Sequence, residues 1–160
     1  MYQNILVPLD GSELGEAALP TAVDIARCTG ASLTLIRVPD HPMMEYYIDQ
    51  PVVLADLRSR DAERARDYLD AIAAQLRLDG LTVVTRVMDG AVADAILDVA
   101  NTESADLIAM ATHGRSGIGR FLLGSVADRV TAHAEVPVIL VRSESGPRKT
   151  ESKSEAMTVA

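Results

Sequence analysis

Lysine is nearly missing from this 160-residue chain: the two lysines, Lys149 and Lys153, both fall close to its C-terminus. A body without lysine has no amine for a Schiff base and no Walker-type lysine for a phosphate. Any phosphate it holds must be met by arginine, hydroxyls and backbone N–H groups. Cysteine is as scarce. The single Cys28 excludes an intrachain disulfide and a cysteine metal cluster, and its helical surroundings predict a small buried hydrophobe. Aromatics, at 3%, offer little to stack on a flavin ring. No apolar run reaches the ~18 residues of a membrane span, and the opening MYQNILVPLD carries no basic flank or cleavage site of a secretory signal. These absences predict a soluble, cytoplasmic protein with no membrane partner. The formal charge of −8 argues against nucleic-acid binding, which needs a basic surface. A single nucleotide needs only a local positive field.

What is present is a core. The chain is 48% hydrophobic, enough for one domain, expected over residues 1–143, with a disordered tail rich in Ser, Lys and Glu over 144–160. Apolar β-branched runs alternate with helical periodicity. NILVPLD (4–10) reads as a strand, Ser12 to Thr29 as a helix closed by Gly30, and ASLTLIRV (31–38) as a second strand. Pro20 should kink that helix or mark a ragged first turn. Residues 39–52, with three prolines, read as a long loop of the kind that forms mobile lids. A helix follows from about Val53 to Leu78, then strand 81–88, helix 91–101, strand 105–112, a helix ending near Ala134, and strand 136–142. This alternation predicts an α/β three-layer sandwich, a five-stranded parallel sheet with helices on both faces. Ligands of such folds bind beyond the carboxyl ends of the strands.

Two features sit there. Asp10-Gly11-Ser12 reads equally as a turn in which Ser12 caps the first helix and as a carboxylate placed to accept hydrogen bonds from a base or sugar. MATHGRSGIGRFLLGSVADRV (110–130) holds four of the chain's ten glycines and three arginines. Ser125 with Asp128 forms an S-x-x-D capping box for the last helix, and the N-terminus of that helix is also a ready anion site. Gly114, Gly117, Gly119 and Gly124 let the backbone approach a ligand, while Arg115 and Arg120 add positive charge. No G-x-G-x-x-G follows the first strand, and Gly119 to Ser125 has serine where a P-loop needs lysine. His113 reads as flanking the ligand or structuring the loop rather than as a catalytic base. No His pair has metal-ligand spacing, so no catalytic or metal residue is assigned. Pro137 marks the last strand as a sheet edge, which a second copy of the chain is expected to cover.

The segments ILVPLDGSE, ASLTLIRV, MDGAVADAIL and DLIAMATHGRSGIGRFLLGSVADRVTAHAEVPVILVR resemble the universal stress protein family (UspA-like), over about Tyr2 to Arg142. The ATP-binding branch of that family carries G-x2-G-x9-G-[ST]. Here Gly114 and Gly124-Ser125 match, and Ala111 replaces the first glycine. The resemblance implies a Rossmann-like, adenine nucleotide alpha hydrolase-like sheet of order 3-2-1-4-5. It places Asp10 and the Val38 backbone at the adenine and ribose. Ala111, His113, Gly114, Arg115, Gly124, Ser125 and Val126 belong to the rest of the site, with Gly11, Ser12, Gly117 and Arg120 as additional candidates. It implies ATP with Mg²⁺ or Mn²⁺ recruited by the phosphates, and a homodimer joined through 136–142. The function it implies is a dimeric nucleotide-binding stress sensor, at most a weak ATPase. Two alternatives stay open: an interaction module of the same fold whose glycine loop is a plain turn, and a small hydrolase or transferase using His113.

Overall fold

A computed structural model describes residues 1–39, 49–112 and 124–142. Residues 40–48 of the expected lid, and all of the expected tail at 144–160, lie outside the described residues. Five parallel strands, β1 (Asn4–Pro8), β2 (Ser32–Arg37), β3 (Val83–Val87), β4 (Leu107–Ala111) and β5 (Val138–Val141), form one sheet in the order β3-β2-β1-β4-β5. The fold class and strand order expected from the sequence are those observed. Four helices, α1 (Leu19–Thr29), α2 (Pro51–Leu78), α3 (Val92–Thr102) and α4 (Ser125–His133), cover its two faces.

Strand alternation builds two cores. Ile5, Val7, Leu33, Leu35, Leu107 and Ala109 point toward α1 and α2, where Ala22, Ala26, Leu69 and Ala73 meet them. Leu6, Ile36, Ile108 and Met110 point the other way, against Ile96, Val99, Ala127 and Val130 of α3 and α4. Strands buried on both faces cannot alternate polar with apolar, which explains their continuous hydrophobic runs. Thr34 is the buried polar exception, and its hydroxyl donates to Asn4 Oδ1 at 3.0 Å. Asn4 Nδ2 donates in turn to the Glu103 carbonyl at 2.8 Å. Polar side chains thus close the amino end of the sheet, and the carboxyl end carries the cleft.

Proline and glycine set several boundaries. Pro20 lies in the first turn of α1, where its missing N–H costs nothing. The preceding residues form a 3-10 turn, Gly15–Ala18, in which Leu19 N–H donates to the Glu16 carbonyl. The first turn is therefore ragged, and regular helix starts seven residues after Ser12. Pro51 opens α2 in the same way, so that helix takes in the last two residues assigned to the loop from the sequence. Gly30 ends α1 at φ 76°, a left-handed conformation that favours glycine.

Cys28 is exposed, contrary to expectation. It lies two residues beyond buried Ala26, a rotation of ~200° about the helix axis onto the outer face. The edge position expected for the last strand is observed, since β5 pairs only with β4. All four of its residues are half-buried. Among the described residues no helix is long and apolar enough to cross a membrane.

Candidate functional site

The chain leaves β1 through Asp10, and the turn that follows is built around its carboxylate. Asp10 Oδ1 accepts the Ser12 N–H at 3.0 Å and the Ser12 hydroxyl at 2.7 Å. Ser12 Oγ accepts the Gly15 N–H at 3.0 Å. Ser12 therefore caps the 3-10 turn and not α1. Gly15 is buried, and a Cβ there would run into Asp10 Oδ1. Gly11, at φ +80°, makes the left-handed bend that starts the turn.

On β2, the ladder toward β1 ends with Leu9 N–H donating to the Ile36 carbonyl at 2.8 Å. Val38 is buried one residue past the strand. No described backbone group bonds to its N–H or C=O.

Across the β1–β4 boundary, Thr112 ends β4 with its N–H on the Val141 carbonyl at 2.9 Å. The chain returns at Gly124, whose N–H donates to the Thr112 carbonyl at 2.9 Å. Thr112 and Gly124 are thus joined directly through the backbone. Gly124 is the N-cap of α4, with φ −60° and ψ 146°, and among the described residues no side chain caps the helix. This corrects the expected capping box. Ser125 occupies the first helical position, one residue too late to act as N-cap, and Asp128 N–H bonds the Gly124 carbonyl at 2.9 Å as an ordinary helical donor. The first N–H groups of α4 have no intrahelical acceptor, and nothing on Ser125 competes for them.

These pieces line one cleft of about 370 Å³, within the ~300–1,000 Å³ usual for small-ligand sites. One wall is aliphatic: Ile36, Val38, Val92, Ile96, Met110 and Val126. Asp10 and Thr112 are among its polar lining, with Gly124 and Ser125 at the helix start. Of the residues singled out from sequence, Asp10, Val38, Ala111, Gly124, Ser125 and Val126 meet here. Gly11 and Ser12 shape the turn behind Asp10 without lining the cleft. His113, Gly114, Arg115, Gly117 and Arg120 lie outside the described residues. Gly15, Arg37, Thr112 and the α3 pair Val92 and Ile96 were missed. The i,i+4 spacing of that pair is the signal that would have found them. Asp89 and Gly90, at the same sheet end, do not line the cleft.

Behind the Asp10 turn, Tyr68 of α2 donates its hydroxyl to Glu16 Oε1 at 2.8 Å. Its pKa is raised well above the ordinary 10.0, first by burial and then by the hydrogen bond to and charge of Glu16. A phenol whose pKa is higher folded than unfolded contributes stability that is whole below pH ~10 and is lost as pH rises above it. Tyr68→Phe is therefore expected to flatten the alkaline limb of the stability curve. Denaturant melts between neutral and strongly alkaline pH would check this, and an alkaline limb as steep as wild type would contradict it.

The profile of the universal stress protein family matches residues 1–142. The chain belongs to that family. Universal stress protein MJ0531 of Methanocaldococcus jannaschii is 31% identical over 147 residues, 89% of this chain and 83% of its own. Among solved structures, hypothetical protein MJ0577, the subject of a structure-based assignment of biochemical function, is similar at a TM-score of 0.81 and 27% identity. That similarity covers 91% of this chain and 99% of the other. A universal stress protein solved in complex with cAMP is similar at a TM-score of 0.58 and 26% identity, over 89% and 98% of the two chains.

Proposed function

We propose that this universal stress protein binds an adenine nucleotide, ATP foremost, in the crevice past β1 and β4, and works as a dimeric sensor or regulator with slow or no hydrolysis. One observation carries the reading: a carboxylate and the N-terminus of α4, which no described side chain caps, share a single aliphatic slot. Along the sheet order, Val38 follows β2, Asp10 follows β1, and Gly124–Ala127 belong to the connection after β4. That span is about two strand spacings of ~4.8 Å each. A flat base fits the aliphatic wall, with its polar edge on the Val38 backbone. Ribose hydroxyls donate to Asp10. Phosphates meet the α4 N–H groups, where the helix dipole favours negative charge. The relative in complex with cAMP supports the ligand class.

Ala111, the departure that motivates an interaction module without nucleotide, does little against this reading. Ala109 faces the α1/α2 core and Met110 the α3/α4 core. Alternation then turns the Ala111 methyl toward α1 and α2, away from the Ile96 and Val126 wall. The cleft supplies a single carboxylate, and no group of three or more His, Cys, Asp or Glu suited to a metal occurs among the described residues. A divalent ion would therefore be held mainly by the ligand's phosphates, as Mg²⁺ commonly is. With no lysine in the described residues to stabilise a leaving phosphate, hydrolysis is expected to be slow.

The half-buried apolar edge of β5 supports the dimer. Sedimentation equilibrium of the full chain is expected to give twice its 17.1 kDa, and a monomer at micromolar concentration would refute it. For occupancy, the purified chain is denatured and the released small molecules are separated by chromatography. An adenine nucleotide in the supernatant is the expected result. A chain that releases none and takes up none when ATP is added would sink the reading.

A further inference from the structure

Arg37 and Tyr68 close a ring of contacts around the Asp10 turn. Arg37 is the last residue of β2, and alternation sends its side chain to the α1/α2 face, opposite to Ile36 and Val38. There its guanidinium carbon lies 4.8 Å from the centroid of the Tyr68 ring, within the ~6 Å reach of a cation–π contact. The guanidinium also meets Gly11. A Cβ on Gly11 would stand 2.8 Å from the guanidinium carbon and from both terminal nitrogens, so the group fills the space that the glycine leaves. Tyr68 grips the turn a second time through its hydroxyl on Glu16. Glu16 N–H donates to the Ser12 carbonyl at 3.1 Å, and Ser12 holds the Asp10 carboxylate. The contacts run from Gly11 through Arg37, Tyr68, Glu16 and Ser12 back to Asp10.

We infer that Arg37 and Tyr68 are positioning residues, which fix the Asp10 carboxylate for the hydroxyl-bearing nucleoside end of the ligand and so set the affinity for nucleosides over bare polyphosphates. The inference rests on the nucleotide reading above. Asp10 sits on a turn with a left-handed glycine beside it, and such a turn has other conformations within reach. A planar cation stacked on a ring is a stiff support, and the ring itself is anchored on a long helix by its own hydroxyl. A phenol is protonated through the whole neutral range, so that hydroxyl stays a donor there. Support of this kind acts on one end of the cleft only. The α4 N-terminus, which would take the phosphates, has no described contact with the ring.

The test is a double-variant cycle on the full chain, titrated by calorimetry with ATP and separately with inorganic tripolyphosphate. Arg37→Met and Tyr68→Leu are each expected to weaken ATP binding on the order of 10-fold or more, with tripolyphosphate binding unchanged. Combined with Asp10→Asn, neither should cost anything further, because the residue being positioned has lost its charge. Tyr68→Phe keeps the ring and loses only the Glu16 bond. It is expected to fold as wild type, to fall between wild type and Tyr68→Leu, and so to serve if the larger changes do not fold. Losses that add to that of Asp10→Asn, losses shared equally by tripolyphosphate, or variants that bind ATP as wild type does would each overturn the inference while leaving the nucleotide reading intact. A wild-type chain that binds no ATP would overturn both.

Discussion

Ser125→Asp is expected to weaken ATP binding by about 100-fold while leaving the melting temperature unchanged or slightly raised. The two effects have opposite signs because they arise from the same helix end. Ser125 is exposed at the first position of α4, and no described side chain caps that helix. A carboxylate there is favoured by the dipole, worth ~0.3–1 kcal/mol. It also occupies the N–H groups that a phosphate would use and repels the phosphate itself. At ~4 Å and an effective dielectric near 20 that repulsion is ~4 kcal/mol per charge pair, so a 100-fold loss, ~2.7 kcal/mol, is a conservative expectation. Ser125→Ala removes only a hydroxyl and should cost ~10-fold at most. Calorimetric titration beside thermal melts reads both quantities. If the glycine loop is merely a turn, Ser125→Asp will leave ATP binding no different from wild type, whatever it does to the melt.

The second large effect is expected at Gly15, where alanine puts a methyl against Asp10 Oδ1. Gly15 is not in a left-handed conformation, so the cost comes from the contact and not from the backbone. Either the carboxylate turns away or the 3-10 turn shifts, at ~1–3 kcal/mol of stability for overpacking a tight site. A displaced carboxylate loses its charge-assisted bonds to the ligand, ~1.5–3 kcal/mol, or roughly 10- to 150-fold in affinity. Asp10→Asn provides the comparison: a similar loss of affinity with little loss of stability. Gly15→Ala with wild-type ATP affinity would show that Asp10 does not touch the ligand.

The contrast between Gly15 and Gly124 shows what the sequence carried and what it withheld. Gly124 was visible because a capped-helix pattern and a glycine frame follow an apolar strand, all within twenty-odd residues. The five parallel strands were legible for a related reason, since strands buried on both faces read as apolar runs; their order, and the meeting of Asp10 with Val38 and Ser125, followed from the family resemblance and not from the pattern. Gly15 fell inside the helix expected from Ser12 to Thr29 and carried no signal of its own. Its role appears only once Pro20 forces the regular helix to start at Leu19 and the residues before it curl under Asp10. Arg37 and Tyr68 were out of reach for a different reason. They are 31 residues apart and come together through β2 and α2, with no periodic signal linking a strand-end arginine to a tyrosine on the next helix. The capping box failed by one position, because Gly124 holds the N-cap conformation and the serine becomes the first helical residue. Cys28 failed because hydrophobic character was read without its angle around the helix.

Titration of ATP with Mg²⁺ into the full chain, after any co-purified nucleotide has been removed, tests the central claim most directly. The cleft past β1 and β4 predicts saturable binding, one ATP per chain, weakened about 100-fold in Ser125→Asp and retained by a well-folded Ser125→Ala. Absence of binding heat from a folded chain up to millimolar ATP, or binding indifferent to Ser125→Asp, would contradict it.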